Sequence, residues 1–167
     1  DIALNGAGQR QAQPLAEHLS RMPVTQIQAS PRRRALETAK PVAAKLGLNL
    51  STCDALDEVD FGAWSGQTFE DLGRDLAWRQ WNENRASARA PGGESMCEAQ
   101  ARIIAHIKTL HSATPDACVV MITHAEMVRA AALSWLSLPL DAWWRIEVPP
   151  ASITRIEIGS IRPSQVS

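Results

Sequence analysis

The segment Ala117–Thr123, Ala-Cys-Val-Val-Met-Ile-Thr, is apolar at nearly every position. A strand with one wet face alternates apolar and polar residues, so an unbroken run predicts a strand covered by helices on both faces. That constraint selects an α/β layer fold, and the remaining chain supplies matching pieces, short apolar strands alternating with amphipathic helices. Val24–Ala29 and Leu48–Cys53 read as two more strands. Ser152–Ile158 reads as another, with Thr154, Ile156 and Ile158 on one side. The chain of 167 residues shows no internal repeat, low-complexity tract or linker, so 1–167 reads as a single domain.

The helices have recognisable ends. The first is predicted from about Asn5 to Arg21 with Leu15, Ala16 and Leu19 inward, and Pro14 predicts a kink or a late start, because an interior proline costs ~3 kcal/mol. Ser30-Pro31 offers an N-cap and a first helical position for a second helix. That helix is expected to reach Leu46 and stop at Gly47, with a second kink at Pro41. Short tryptophan-rich helices follow around Thr68–Leu72 and Asp75–Asn84. Arg85–Gly93 is polar and turn-prone, and is expected to be a mobile surface segment. Ser95-Met96-Cys97-Glu98 is a capping box opening a helix to about His111, with Ala99, Ile103, Ile107 and Leu110 on one stripe. A last helix spans roughly Glu126–Leu136.

Composition narrows the function. Seventeen basic against eighteen acidic residues leave a formal charge of −1, which excludes nucleic-acid or membrane-surface binding through bulk charge. The uncharged stretch Ala130–Leu140 is far shorter than the ~20 residues of a membrane span. Cys53, Cys97 and Cys118 are odd in number and form no C-x-x-C, so neither a disulfide framework nor a zinc cluster is indicated. They read as small hydrophobes, and a cytoplasmic protein is expected. No metal-ligand spacing is present, and nothing in the sequence bears on oligomeric state.

Ligands of open α/β sheets bind beyond the carboxyl ends of the strands. Two such ends carry polar residues here: Val24–Ala29 leads into Ser30-Pro31-Arg32-Arg33-Arg34, and Ala117–Thr123 leads into His124. A helix N-terminus favours an anion but contributes only ~0.3–1 kcal/mol when exposed. A hydrogen bond to a charged group adds ~1.5–3 kcal/mol. An oxyanion pocket therefore needs arginine or histidine as well, and both are at hand. Each feature also has a plain reading. Adjacent arginines usually form a solvated face, of which one or two at most can turn inward; a histidine at a strand end is usually structural; a glutamate in a glycine-rich loop is usually exposed.

Order and spacing add to these readings. Asp1-x-x-Leu4-x-x-x-Gly8-x-x-Gln11-Ala12-x-x-Leu15-Ala16-x-x-Leu19, Ser30-Pro31-x-x-Arg34-Ala35-x-x-Thr38-Ala39 and Glu58-x-x-Phe61-Gly62-x-Trp64-x-Gly66 follow one another, then Pro91-Gly92-Gly93-Glu94-Ser95 and Thr123-His124-Ala125 with Val128-Arg129. Together they resemble the histidine phosphatase (phosphoglycerate mutase-like) superfamily, and the compact length with Trp78 and Trp81 after Gly66 is similar to its α-ribazole phosphatase-like branch. The resemblance implies a three-layer α/β/α sandwich with a mostly parallel central sheet. It also implies phosphomonoester hydrolysis through a phosphohistidine on a phosphorylated small molecule, with no metal and no cofactor. By matching position, Arg34 resembles a phosphate-clamping arginine with Ser30 beside it. His124 resembles the second histidine, which donates to phosphoryl oxygens, and Glu58 the general acid for the leaving oxygen.

One departure is large. The family's Arg-His-Gly, which carries the nucleophilic histidine, occurs nowhere in the chain, and His18, His106 and His111 match no family position. A missing central strand would leave two rows of unpaired backbone groups, so the expectation is an N-terminally truncated domain whose nucleophile lies upstream of Asp1. A non-catalytic phospho-ligand binding protein and a phosphoglycerate mutase are the alternatives. Glu126 stands where relatives place a small residue, and must point away from phosphate or pair with an arginine; Met127 reads as core. Arg85 and Arg89 read either as lid residues touching substrate or as exposed loop charges. The tryptophans read as packing, with Trp64 close enough to Glu58 to wall a pocket. The last residues, Arg162–Ser167, are short for the family's final strand.

Overall fold

A computed structural model describes residues 2–159. Helix α1 (Gly6–Leu19) leads to strand β1 (Gln26–Ala29), helix α2 (Arg33–Leu46) and strand β2 (Leu50–Thr52). A long loop with 3₁₀ turns at Asp54–Leu56 and Gly62–Trp64 precedes α3 (Phe69–Arg74) and α4 (Leu76–Glu83). Helix α5 (Met96–Ala113), strand β3 (Val119–Ile122), helix α6 (Ala125–Trp135) and a 3₁₀ segment (Leu140–Arg145) complete the order. The strands are parallel in the order β2-β1-β3.

Two apolar clusters lie on opposite faces of this sheet. Ala16 and Leu19 of α1 join Val42 and Ala43 of α2 over Ile27, with Val120 and Ile122 packed against them. On the other face Ala99, Ile103 and Ile107 of α5 meet Met127, Ala130 and Leu133 of α6, with Met121 against them. Alternate residues of β3 thus point into different cores, the three-layer arrangement the apolar run requires. No helix of the described residues is long and apolar enough to cross a membrane.

Several expectations are corrected. Helix α1 starts at Gly6, ahead of Pro14 rather than late, and both α1 and α2 continue past their prolines. Each proline forfeits one ladder bond, but Ala12 and Ala16 of α1 and Ala39, Val42 and Ala43 of α2 are buried, and tertiary packing supplies most of a helix's stability. Ser30 is not the N-cap of α2, which begins two residues late, with Arg32 at the cap position and no side-chain cap bond. Strand β3 is only half-buried at all four positions, since among the described residues it pairs with β1 alone. Residues 152–158 form no strand; Ile156 and Ile158 still turn inward against the α5–α6 core, whereas Thr154 is exposed. Arg85 is buried, not a surface charge, while Ala90 is also fully enclosed. Cys97 is exposed, and its thiol donates to the Ala86 carbonyl at 2.9 Å. The Gly47 stop stands as read, at φ +65°, as does the Ser95–Glu98 capping box. Residues Arg162–Ser167 lie outside the described residues.

Two loops close tightly on each other beside the sheet. Ala63 N donates to the Pro91 carbonyl at 2.8 Å, and Glu94 N to the Asp60 carbonyl at 2.9 Å. Only glycine fits at the crossing: a methyl on Gly62, at φ +50°, would lie 2.2 Å from the Pro91 oxygen, and one on Gly93 would lie 2.2 Å from the Asp60 oxygen. Gly73, within α3, has open space around it. Gly62→Ala is therefore expected to destabilise the fold by more than ~1 kcal/mol, and Gly73→Ala to stabilise it by ~0.5–1 kcal/mol. Urea unfolding of the two variants measures both.

Candidate active site

Parallel pairing places Ala29 opposite Ile122, so both chains leave the sheet side by side at its carboxyl end. Ser30 N donates to the Ile122 carbonyl at 2.9 Å. Two residues beyond Ile122, His124 occupies the N-cap position of α6. On the other strand the chain turns into α2, whose first turn projects Arg34 toward the same spot. Thr123 Oγ1 donates to the Leu56 carbonyl at 2.6 Å, which brings the 54–58 loop over both.

The four residues expected at a phosphate site, Ser30, Arg34, Glu58 and His124, are thereby brought together. Arg34 Nη2 lies 3.0 Å from His124 Nδ1 and 3.4 Å from Glu58 Oε2; His124 Nδ1 and Glu58 Oε2 are 3.5 Å apart. His124 Nε2 faces Ser30 Oγ at 2.8 Å. A guanidinium only donates, so Nδ1 accepts from Arg34, and the neutral ring carries its proton on Nε2, given to Ser30 Oγ. That hydroxyl in turn donates to Asp57 Oδ1 at 3.2 Å and accepts from Arg32 N at 3.2 Å. Ser30 is fully buried because its hydroxyl is the link in this chain, which is why it does not cap α2.

Sequence reasoning missed Asp57 and Arg102. Asp57 Oδ1 accepts from Arg32 Nε at 2.7 Å and from Glu58 N at 2.8 Å. Burial alone would raise the Asp57 carboxyl, but Arg32 and these N–H donors hold it below its ordinary value. Its place directly before Glu58 was the available signal. Arg102 was visible only as a charge between the core residues Ala99 and Ile103 on α5. Of the three consecutive arginines, Arg32 and Arg34 turn toward the site while Arg33 pairs with Glu37 at 2.7 Å.

The neighbouring charges are spoken for. Glu126 takes the second of its two expected courses: Oε2 accepts from Arg85 at 2.7 Å and Oε1 from Arg129 at 2.8 Å. Arg85 lies 3.6 Å over the Trp81 ring and 4.3 Å over Trp143, enclosed rather than facing solvent; Arg89 is exposed and pairs with Glu98. Met127 is core. Trp64 packs edge-on to Trp78 and Trp81 and donates to Asp75 at 2.8 Å, a packing role. A groove of about 820 Å³ between α1 and the 150–155 segment, lined by Gln11, Leu15, His18, Ile153 and Arg155 among others, includes none of the site residues.

Burial pushes Glu58 up to about 7, with the nearby Glu126 charge adding to it and the Val59 N–H and Arg34 opposing. Burial, joined by the Arg34 charge, pushes His124 down to about 4. The two act oppositely on stability. Between about 4.5 and 7 the folded state holds a Glu58 proton that the unfolded chain has lost, so this carboxyl's contribution falls as pH rises. Between about 4 and 6.5 the unfolded chain holds a His124 proton that the fold excludes, so that contribution rises with pH. In wild type the slopes offset across the shared window. Glu58→Gln is expected to unmask the histidine, with unfolding free energy rising by up to ~1.4 kcal/mol per pH unit from about pH 4.5 to 6.5. Denaturant melts across that range test it; an unchanged slope contradicts the assignment.

A profile of the histidine phosphatase superfamily (branch 1) matches residues 1–167. Phosphoserine phosphatase 1 of Hydrogenobacter thermophilus is 28% identical over 160 residues, covering 95% of this chain and 76% of the relative. The structure of mycobacterial glucosyl-3-phosphoglycerate phosphatase with inorganic phosphate superposes with a TM-score of 0.79 at 29% identity, over 88% of this chain and 75% of that one. A putative alpha-ribazole-5'-P phosphatase from Escherichia coli shares the fold, with a TM-score of 0.79 at 22% identity over 89% of this chain and 74% of that one. With its whole length matched, its three-layer fold shared and its strand ends converging on one histidine, this chain belongs to the histidine phosphatase superfamily, branch 1.

Proposed function

We propose that this protein hydrolyses small phosphomonoesters through a phosphohistidine, and the observation that carries the reading is the meeting of Arg34, Glu58 and His124 within 3.5 Å of one another. The 167 residues contain no Arg-His-Gly, and their other histidines are placed elsewhere. His106 is hydrogen-bonded to Gln28 at 2.7 Å, and His18 and His111 sit in the last turns of α1 and α5. The nucleophile in this proposal is a histidine outside these 167 residues.

In the reaction that histidine's ring nitrogen attacks phosphorus while the bond to the leaving oxygen breaks. Arg34 binds the equatorial phosphoryl oxygens, and His124 donates to them; a bound dianion favours the charged form of the imidazole. Preorganised donors of this kind contribute ~2.7–4 kcal/mol each to the transition state. Glu58, poised at about 7 by burial, delivers its proton to the leaving alkoxide. The resulting carboxylate then takes a proton from water as that water attacks the phosphohistidine, releasing inorganic phosphate and restoring both side chains. The relatives' printed activities support phosphomonoester hydrolysis as the reaction class. The three free thiols, Cys53, Cys97 and Cys118, support a reducing, cytoplasmic setting.

The full-length protein is expected to hydrolyse p-nitrophenyl phosphate without added bisphosphoglycerate; phosphate binding without turnover would favour a non-catalytic phospho-ligand protein, and dependence on bisphosphoglycerate a mutase. Glu58→Gln is expected to slow alkyl phosphomonoesters by ~10²-fold or more and p-nitrophenyl phosphate, whose leaving group needs no proton, far less. Equal losses would remove Glu58 as the acid. Arg34→Ala is expected to weaken vanadate inhibition by at least ~10-fold, in line with ~1.5–3 kcal/mol for a charged hydrogen bond; unchanged inhibition would refute the clamp.

A further inference from the structure

One guanidinium outside the phosphate site organises the loop that carries the acid. Arg102 Nη1 donates to the carbonyls of Asp54 at 3.1 Å, Ala55 at 3.0 Å and Asp57 at 3.1 Å. Its Nη2 reaches the Glu58 carbonyl at 3.4 Å and Glu94 Oε1 at 2.6 Å. Glu94 grips the far side of the same loop, its Oε1 accepting from Asp60 N at 3.3 Å and its own N donating to the Asp60 carbonyl at 2.9 Å. Glu58 is therefore held by its backbone from both directions.

The chemistry of this contact is specific. Within the 3₁₀ turn Asp54–Leu56 the Asp54 carbonyl also accepts from Asp57 N at 3.0 Å, and the carbonyls of Asp54, Ala55 and Asp57 converge on the Arg102 guanidinium. A planar fork of donors satisfies several of them at once, which a lysine ammonium does not reproduce. The Glu94 carboxylate keeps the half-buried guanidinium paired. Arg102 itself stands on α5, whose capping box and buried Ala99, Ile103 and Ile107 fix it in the core. By contrast the Glu58 side chain has few ties of its own, chiefly Val59 N to Oε1 at 3.1 Å and the long contact to Arg34.

We propose that Arg102, braced by Glu94, is a positioning residue that sets where the Glu58 carboxyl stands relative to Arg34 and His124. It acts through the backbone of residues 54–58 and touches no reacting atom. The proposal rests on the reading of Glu58 as the general acid. A carboxyl displaced by about 1 Å loses on the order of 10²-fold in its step, and this loss is confined to substrates whose leaving oxygen must be protonated.

The test is made on the full-length protein with Arg102→Lys and, separately, Glu94→Gln, using glycerol 2-phosphate and p-nitrophenyl phosphate. For both variants kcat on glycerol 2-phosphate is expected to fall at least ~10-fold while kcat on p-nitrophenyl phosphate, both KM values and vanadate inhibition stay within ~3-fold. The limb of the pH–kcat profile belonging to the acid is expected to move down, toward an ordinary carboxylate, as the loosened loop admits water to Glu58. Equal losses on the two substrates, or no loss, overturn the proposal. If Arg102→Lys does not fold, Glu94→Gln decides by the same criterion. Glu58→Gln run alongside separates the failures: if it shows the leaving-group split and the positioning variants do not, only Arg102's role falls. If Glu58→Gln itself shows none, the acid assignment falls and the positioning proposal with it.

Discussion

The site depends on the register between two parallel strands. With Ala29 beside Ile122, the residues just past each strand are neighbours, and the bond from Ser30 N to the Ile122 carbonyl continues the ladder one step beyond the sheet. Strand polarity does the rest. Parallel strands end on the same side, so the turn into α2 and the turn into α6 open toward each other, and Arg34 meets His124 across 90 residues of chain. A one-residue slip would send Ser30 away from the imidazole and reverse which side chains of β1 enter each core. The apolar surfaces on both faces of the sheet therefore also protect the geometry of the polar site.

The third component arrives by a different route. Glu58 is on neither strand; its loop is pressed onto the strand ends by Thr123, by the Arg102 fork and by the crossing at Gly62 and Gly93, where backbone meets backbone too closely for any side chain. Two kinds of support thus converge, a sheet that fixes the anion-facing residues and a zipped pair of loops that fixes the carboxyl. Backbone carbonyls are the main acceptors of the second support, taken by the Thr123 hydroxyl, by the Arg102 guanidinium and, at the crossing, by Ala63 N and Glu94 N.

How much of this was legible follows from how local each cause is. The Ser95–Glu98 capping box and the Gly47 stop depend on a few adjacent residues and could be read directly. The apolar run at 117–123 announced β3, and the polar residues after two strands announced Ser30, Arg34 and His124. The N-cap assigned to Ser30 was wrong because a local preference lost to a distant one: its hydroxyl is drawn to His124 and Asp57. Arg85 read as a lid residue or a loop charge, since no sequence pattern reveals a cation enclosed by Trp81, Trp143 and Glu126. Pro14 allowed a late start for α1, but the helix begins at Gly6, and the burial of Ala12 supports the turn ahead of the proline. At 152–158 the alternation correctly marked Ile156 and Ile158 as inward, but alternation cannot say whether a neighbouring strand exists to pair with.

Among the described residues, the charges around His124 are paired in a way that sets Arg34 apart, the cation proposed to take the anion. Asp57 is matched by Arg32, Glu94 by Arg102, and Glu126 by Arg85 and Arg129. Among the described residues Arg34 has Glu58 as its one carboxylate partner, at 3.4 Å, and that carboxyl is poised by burial to keep its proton near neutrality. A protonated Glu58 places no charge against Arg34, so the guanidinium keeps its full attraction for a phosphoryl group. In the proposed reaction the same proton is the one the leaving oxygen needs. Holding His124 neutral in the absence of an anion has a parallel effect, because a second fixed cation would ionise Glu58 and spend its proton before substrate arrives. Burial, which is usually a penalty for polar groups, here keeps Glu58 and His124 in the protonation states that the proposed phosphoryl transfer requires.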